Sequence, residues 1–127
     1  MEKLTFDTGL QSYRINGGGV LRFNPADPNV YARFLEAAEK IKTAEEELAH
    51  SEDVLGAMRL LDKKVKTALN EVFGAPNDFD ALLGGVNLLA VAGNGQRVVT
   101  NLLNALQPIL TEGARLCAGE IAERSMA

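Results

Sequence analysis

The segment from Val20 to Phe34 requires a change from strand to helix within a few residues. It contains two prolines, Pro25 and Pro28, which fit neither the interior of a strand nor the interior of a helix. Asp27 is a favoured N-cap residue, and proline is favoured at the first helical position after such a cap. We therefore predict that an extended segment ends before Pro25 and that a long helix starts at the Asp27 cap.

The residues before this segment alternate between apolar and polar side chains, with the period of two that is typical of strands. Asn16 and the three glycines Gly17–Gly19 can adopt the positive φ angles of a tight hairpin turn without a Cβ clash. We predict a β-hairpin within residues 1–24, with Leu4–Phe6 as a candidate third strand. A phosphate-binding loop at the glycines is disfavoured, because it needs a helix to follow and here a strand follows.

The rest of the chain has the apolar periodicity of amphipathic helices. We predict main helices at 27–50, 51–73 and 96–121 and a short helix at 77–84, all in a single domain spanning residues 1–127. The second helix carries a regular 4-3-4-3-4 spacing of apolar residues, which favours an antiparallel helical hairpin with the first helix. The residues of this heptad seam are Val54, Met58, Leu61, Val65, Ala68 and Val72.

Two further features complete the predicted fold. Ser51 is the expected N-cap of the second helix, since it precedes two acidic residues that suit a first helical turn. Pro108 lies inside the last helix, where proline removes a hydrogen bond, so we expect a kink between Asn104 and Pro108. The predicted fold class is mainly α with a small N-terminal antiparallel β-hairpin, an α+β fold that combines a helical hairpin with a kinked C-terminal helix.

The charge of the chain argues against a nucleic-acid partner. The formal net charge is −4 and the sequence pI is about 5.0, so the chain as a whole does not attract a polyanion. A local basic cluster, formed by Arg59, Lys63, Lys64 and Lys66, falls within two turns of the second helix. We interpret this cluster as a solvated helix face, because no aromatic residues for base stacking are interleaved with it. A small DNA-binding regulator is the less favoured alternative.

The residues of catalytic and metal chemistry are sparse. The single histidine, His50, and the single cysteine, Cys117, lie in different predicted helices and cannot form a zinc site by themselves. Cys117 has apolar neighbours and is expected to be a small buried side chain. Asp78 and Asp80 lack the further oxygen ligands of a calcium loop and are interpreted as capping residues. We expect no enzymatic activity, no catalytic residues, no cofactor and no metal.

The N-terminus lacks the apolar stretch of a signal peptide, and no apolar run is long enough to span a membrane. We therefore expect a cytoplasmic protein without a membrane partner. The amphipathic helices carry as much apolar surface as a chain of this size can bury, so their faces can extend into an interface. Binding of a partner protein, or self-association into a homo-oligomer, is easier to support than catalysis.

A resemblance to a known family is carried by several blocks of the sequence. Leu21–Pro28 is followed by Tyr31–Phe34, and the later blocks are Leu69–Gly74, Phe79–Asn87 and Asn101–Pro108. In these blocks the chain resembles small proteins encoded in the tail gene region of phages and prophages of gut Firmicutes. Those proteins are similar to tail assembly chaperones.

The resemblance, which extends from about residue 6 to residue 114, implies a small helical factor that binds the phage tape measure protein and the tail tube subunits. Such a factor keeps its partners soluble until they polymerise, and it has no catalytic residues and no cofactor. Masking an apolar partner requires an interface and no chemistry. We expect the last helix to contribute to this contact through Val99, Leu103, Leu106 and Leu110. A virion structural protein, such as a tail completion or connector component, is the alternative.

Overall fold

The computed structural model describes the backbone of residues 1–126 and the side chains of residues 1–119. Within that part the chain forms two strands, β1 (Gln11–Arg14) and β2 (Val20–Phe23), and four helices, α1 (Pro28–Ala49), α2 (Val54–Phe73), α3 (Phe79–Leu82) and α4 (Val98–Met126). The predicted fold class, mainly helical with an N-terminal antiparallel β-hairpin, is confirmed.

The start of α1 is built as its sequence predicts. Asp27 is the N-cap, and its carboxylate accepts a hydrogen bond from the backbone N–H of Asn29 at 2.9 Å. Pro28 is the first helical residue. An N–H at this position would make no intrahelical hydrogen bond, so its absence in proline costs none. The transition from β2 to α1 therefore needs only the four residues between Phe23 and Pro28.

The start of α2 lies three residues later than predicted, at Val54. Its N-cap is Asp53, whose carboxylate accepts a hydrogen bond from the N–H of Gly56 at 3.1 Å. Ser51 does not cap the helix, because its hydroxyl instead donates to the carbonyl oxygen of Asp53 at 3.0 Å. Ser51 and Asp53 are both suitable capping residues, and α2 starts directly after the second of them.

The β-hairpin has the predicted turn but not the predicted third strand. Asn16 and Gly17 adopt positive φ angles of 49° and 76°, as a tight turn requires. Residues 1–10 form no strand, so the assignment of Leu4–Phe6 is wrong. Leu4 is 89% exposed in the structure, and no burial of alternate side chains offsets the entropy of ordering a strand there.

The two long helices α1 and α2 form the predicted helical hairpin. Arg33, near the start of α1, donates through Nε to the carbonyl oxygen of Val72 near the end of α2, at 3.0 Å, as an antiparallel arrangement requires. The α2 seam is buried from Leu61 to Val72, whereas Val54 is 47% exposed. α1 presents a matching 3-4-3-4 seam of buried residues: Phe34, Ala37, Ile41, Ala44 and Leu48.

The last third of the chain covers one side of this helical hairpin. Residues 84–97 follow an irregular path with an isolated bridge between Val91 and Arg97, and Leu88 and Leu89 of this segment are fully buried. α4 begins two residues after the predicted start at 96 and continues through Pro108 as one helix. The kink expected at Pro108 stays a prediction.

A row of aromatic rings fixes the β-hairpin on the end of α2. The ring of Phe23 lies 5.1 Å from that of Tyr13 and 4.6 Å from that of Phe73, measured between centroids. Phe73 in turn lies 5.5 Å from Phe79 of α3. Aromatic pairs at these separations contribute beyond their buried area, so β1, β2, α2 and α3 share one packed unit.

Asn77 closes the outer edge of β2. Its side-chain oxygen accepts the backbone N–H of Arg22 at 3.0 Å, and its side-chain nitrogen donates to the carbonyl oxygen of Arg22 at 2.8 Å. The same nitrogen donates to the carbonyl oxygen of Phe73 at 3.3 Å. One amide side chain thus takes the place of a neighbouring strand at Arg22, and the open edge of the sheet is that of β1.

We expect Asn77→Ala to lower the free energy of unfolding by about 2 kcal/mol, because both outer backbone groups of Arg22 lose their partner. Asn77→Asp should be more destabilising than Asn77→Ala, since a carboxylate would face the carbonyl oxygens of Arg22 and Phe73. Asn29→Ala is the control, because Asn29 is exposed and its side chain makes no hydrogen bond in the described structure. Urea unfolding followed by circular dichroism measures all three, and an unchanged Asn77→Ala variant would contradict the edge-closing role.

Candidate protein-binding site

A groove lies between the β-hairpin and the first half of α4, and we call it the hairpin groove. Its volume is about 530 Å³, and most of its walls are apolar. Sites that bind ligands in proteins have this size and character. Most of its apolar side chains are only partly buried, so an occupant would remove further apolar surface from water. The apolar side chains that line it include Tyr13, Ile15, Val86, Leu102, Leu106 and Ile109.

The edge of β1 that borders this groove is unpaired. The N–H of Ile15 donates to the carbonyl oxygen of Gly19 at 2.8 Å, so the backbone groups of Tyr13, two residues earlier, also face β2. The backbone groups of Ser12 and Arg14 therefore point away from β2. Both residues are exposed, and their backbone groups have no hydrogen-bond partner in the described structure. Such an edge can accept an added strand.

The structure places most of the predicted contact residues in the core. Val99 and Leu110 are 0% exposed and Leu106 is 4% exposed, whereas Leu103 is partly buried against the core. Because the folded domain does not offer buried side chains to a partner, the face of α4 that is available differs from the expected one. It is the face that lines the hairpin groove, represented by the partly buried Leu102 and Ile109.

A second groove, the helix groove, lies between α1 and α2 and has a volume of about 600 Å³. Its floor consists of seam residues such as Ala44 and Ala68, which are already at least 94% buried. Its rim carries both signs of charge, including Lys40 and Glu71 at 3.8 Å. An occupant would bury little new apolar surface here, so the hairpin groove is the stronger candidate.

The basic cluster on α2 does not form one solvated face. The side chain of Lys66 is only 7% exposed, and its Nζ lies 2.9 Å from Oδ2 of Asp62 and 2.6 Å from Oδ1 of Asp80. Burial acts to lower the pKa of Lys66, but the hydrogen bonds to Asp80 and Asp62 outweigh it and raise the pKa above its ordinary value. The interpretation as a solvated face is therefore wrong for Lys66. Lys63 and Lys64 are exposed and line the helix groove.

The other residues considered for chemistry are dispersed. Asp78 caps α3 as predicted and accepts the N–H of Asp80 at 3.1 Å. Cys117 is half-buried rather than buried, since α4 leaves the core at this point and Leu116 is 55% exposed. His50 is exposed at the end of α1. Among residues whose side chains are described, no three His, Cys, Asp or Glu side chains are grouped as a metal site would need.

No protein-family model, no curated protein and no solved structure matches this chain. Within the described residues, no helix combines the length and the apolar character needed to cross a bilayer. Support for a function therefore comes from the surfaces described above and from the resemblance of the sequence blocks to small proteins of the phage tail gene region.

Proposed function

We propose that this chain is a non-enzymatic phage tail assembly protein, a chaperone that binds an apolar segment of the tape measure protein in the hairpin groove. The observation that carries the proposal is the open backbone edge of β1 beside a groove of partly exposed apolar side chains. A client segment paired with Ser12 and Arg14 satisfies its own backbone and directs every second side chain into the groove. The resemblance to tail assembly chaperones supports the same class of protein.

The size and charge of the site suit a chaperone. A groove of about 530 Å³ holds only a few side chains, so each contact is weak and can be released when the client polymerises. The net charge of −4 adds repulsion between complexes and keeps a bound client soluble. Tail tube subunits are further clients under this proposal, since pairing along a strand edge depends mainly on the client backbone.

The test is co-expression of the full chain with the tape measure protein of the phage or prophage that, under this proposal, encodes both. We expect the soluble yield of the tape measure protein to rise and the two proteins to co-purify. Ser12→Pro removes an outward N–H without touching the bonds to β2, and Val86→Asp puts a charge on the groove wall. Each should reduce the co-purified client by about tenfold, since burying an unpaired charge, or leaving a buried backbone carbonyl of the client without its donor, costs about 1.4 kcal/mol or more.

Leu55→Asp is the matched control, because Leu55 is 75% exposed on α2 and lies outside the groove. Its client yield should equal that of the unmodified chain. Failure of the unmodified chain to bind the tape measure protein would contradict the proposed function. Binding that survives both Ser12→Pro and Val86→Asp would contradict the assignment of the groove.

A virion structural protein of the tail completion or connector kind is the second candidate. The observation that favours it is the exposed N-terminal segment of residues 1–8, because exposed segments of this kind often bind a neighbouring subunit. Mass spectrometry of purified particles separates the two candidates. The chaperone is absent from the finished particle, whereas the structural protein is present in a fixed number of copies.

A further inference from the structure

Residues 1–8 form an N-terminal arm that lies outside the packed part of the domain. Every residue of the arm is exposed, and Leu4 and Phe6 are 89% and 71% exposed. In an extended segment, residues two positions apart point to the same side, so Leu4 and Phe6 can present one apolar face. Nothing in the described structure covers that face. Two large apolar side chains at strand spacing are what an open strand edge beside an apolar groove can accept.

The base of the arm is fixed against Asn24, which follows the end of β2. The side-chain nitrogen of Asn24 donates to the carbonyl oxygen of Thr8 at 3.0 Å, and the carboxylate of Asp7 accepts the N–H of Gly9 at 2.7 Å. Gly9 has a φ of 78°, and a Cβ at this position would overlap the Asn24 side chain. The described structure has no backbone hydrogen bond between residues 1–8 and β1, so the arm does not pair with the β1 edge of its own chain.

The dimensions of the arm match those of the unpaired edge. Eight extended residues span about 26 Å, and the four residues of β1 span about 13 Å. The arm is therefore about twice as long as β1, so it can cover the whole length of β1 on another molecule even when the residues at its base stay unpaired. Its alternate apolar residues would enter the hairpin groove, while its polar residues Lys3 and Thr5 would face solvent.

We propose that the arm of one copy pairs with the β1 edge of a second copy and places Leu4 and Phe6 in that copy's hairpin groove. Both halves of the contact are present on every chain, and among the described residues neither has a partner within its own domain. Reciprocal exchange of arms closes a dimer, and head-to-tail exchange closes a ring. This self-association needs no client, so it stands apart from the proposed function, although a client would compete with the arm for the same edge.

Sedimentation velocity of the full chain over a concentration series tests the inference. The unmodified chain should form a concentration-dependent oligomer. Leu4→Ser combined with Phe6→Ser should raise the dissociation constant by about tenfold or more, because two apolar side chains lose their burial. Ser12→Pro should have a similar effect from the edge side, since it removes a hydrogen bond between the copies. Leu55→Ser, at an equally exposed leucine of α2, should change nothing.

A mixing experiment separates loss of the contact from loss of the fold. The arm variant keeps an intact β1 edge, and the Ser12→Pro variant keeps an intact arm. Mixed together, they should form a heterodimer through the one contact in which both the arm and the edge are intact, and it should be tighter than the self-association of either variant alone. At a concentration low enough for every chain to be monomeric, thermal unfolding of each variant should match that of the unmodified chain, because the changed groups are exposed.

A chain that is monomeric at every concentration would overturn the inference, and so would an oligomer that survives both the arm variant and Ser12→Pro. A mixture that does not form the heterodimer would also overturn it. A chain that is monomeric but still binds the tape measure protein would contradict this inference and leave the proposed function intact. An arm-dependent oligomer that binds no tape measure protein would support this inference and contradict the proposed function.

Discussion

Lys66→Ala is expected to lower the free energy of unfolding by about 3 kcal/mol and the melting temperature by about 10 °C. The ammonium of Lys66 joins Asp62 of its own helix to Asp80 of α3, and Asp62 also accepts the backbone N–H of Leu88 at 2.8 Å. Without Lys66, the carboxylate of Asp62 keeps its charge at a position that is only 13% exposed. Leaving one member of a buried ion pair without its partner is the main cost.

The double variant Asp62→Asn, Lys66→Met is expected to recover most of the lost stability. Asparagine keeps an acceptor for the N–H of Leu88, and methionine fills the space of the lysine stem without a charge. Lys64→Ala is the control, since Lys64 is exposed on the same helix and its loss should change stability by no more than about 0.5 kcal/mol. A double variant less stable than Lys66→Ala would contradict this account when measured by urea unfolding.

The contribution of Lys66 should not vary with pH in the neutral range. The folded state raises the pKa of Lys66 above its ordinary value of 10.5, so it binds the proton more tightly than the unfolded chain does. The resulting stability is fully present below pH 10.5 and is lost as the pH rises through the folded pKa. Comparing the unfolding of the unmodified chain and Lys66→Met at neutral and strongly alkaline pH checks the sign.

Gly113→Ala is expected to destabilise the protein by about 2 kcal/mol, although alanine is the better helix former. A Cβ at Gly113 would overlap the carbonyl oxygen of Pro25, at the point where α4 packs against the segment that leads into α1. The neighbouring atoms belong to the backbone, so they cannot move aside as a flexible side chain would. The helix must shift outward, and that movement opens the wall of the hairpin groove.

Gly119→Ala on the same helix is the matched control and should act in the opposite direction. A Cβ there meets nothing within 4 Å, so only the gain in helix propensity remains, and we expect stability to rise by about 0.5 to 1 kcal/mol. Thermal unfolding of the two variants measures the difference in sign. A stabilising Gly113→Ala would show that α4 does not approach Pro25 this closely.

Local chemistry made the ends of the elements predictable. The Asp27 cap with Pro28 and the Asn16 turn each depend on residues within a few positions, and each occurs as predicted. Where two local solutions competed, as at Ser51 and Asp53, the first capping residue along the chain was not the one used. The prediction of a third strand was wrong for a related reason. Alternation around Leu4 shows that a strand there would have one apolar face, but it does not show that another segment is present to cover that face.

Packing between distant segments decided the burial of single residues. The alanines of the α1 seam, Ala37 and Ala44, follow the same alternating three- and four-residue spacing as the α2 seam. Their burial could have been predicted from that spacing. Lys66 could be paired with Asp62 from its i,i+4 spacing, but its burial depends on Asp80 of another helix. Such partners become visible only when the chain is folded.

By itself, the sequence determined where the helices and the hairpin form, because capping, turn chemistry and apolar periodicity act over a few neighbouring residues. It also predicted a protein whose apolar surface suits binding. Only the tertiary structure decided which surface is available, since the apolar side of α4 is broad and packing buries Val99 and Leu110 in the core while leaving Leu102 on the wall of the hairpin groove. Burial is shared among distant segments, and no local pattern specifies which side of a broad apolar helix remains uncovered.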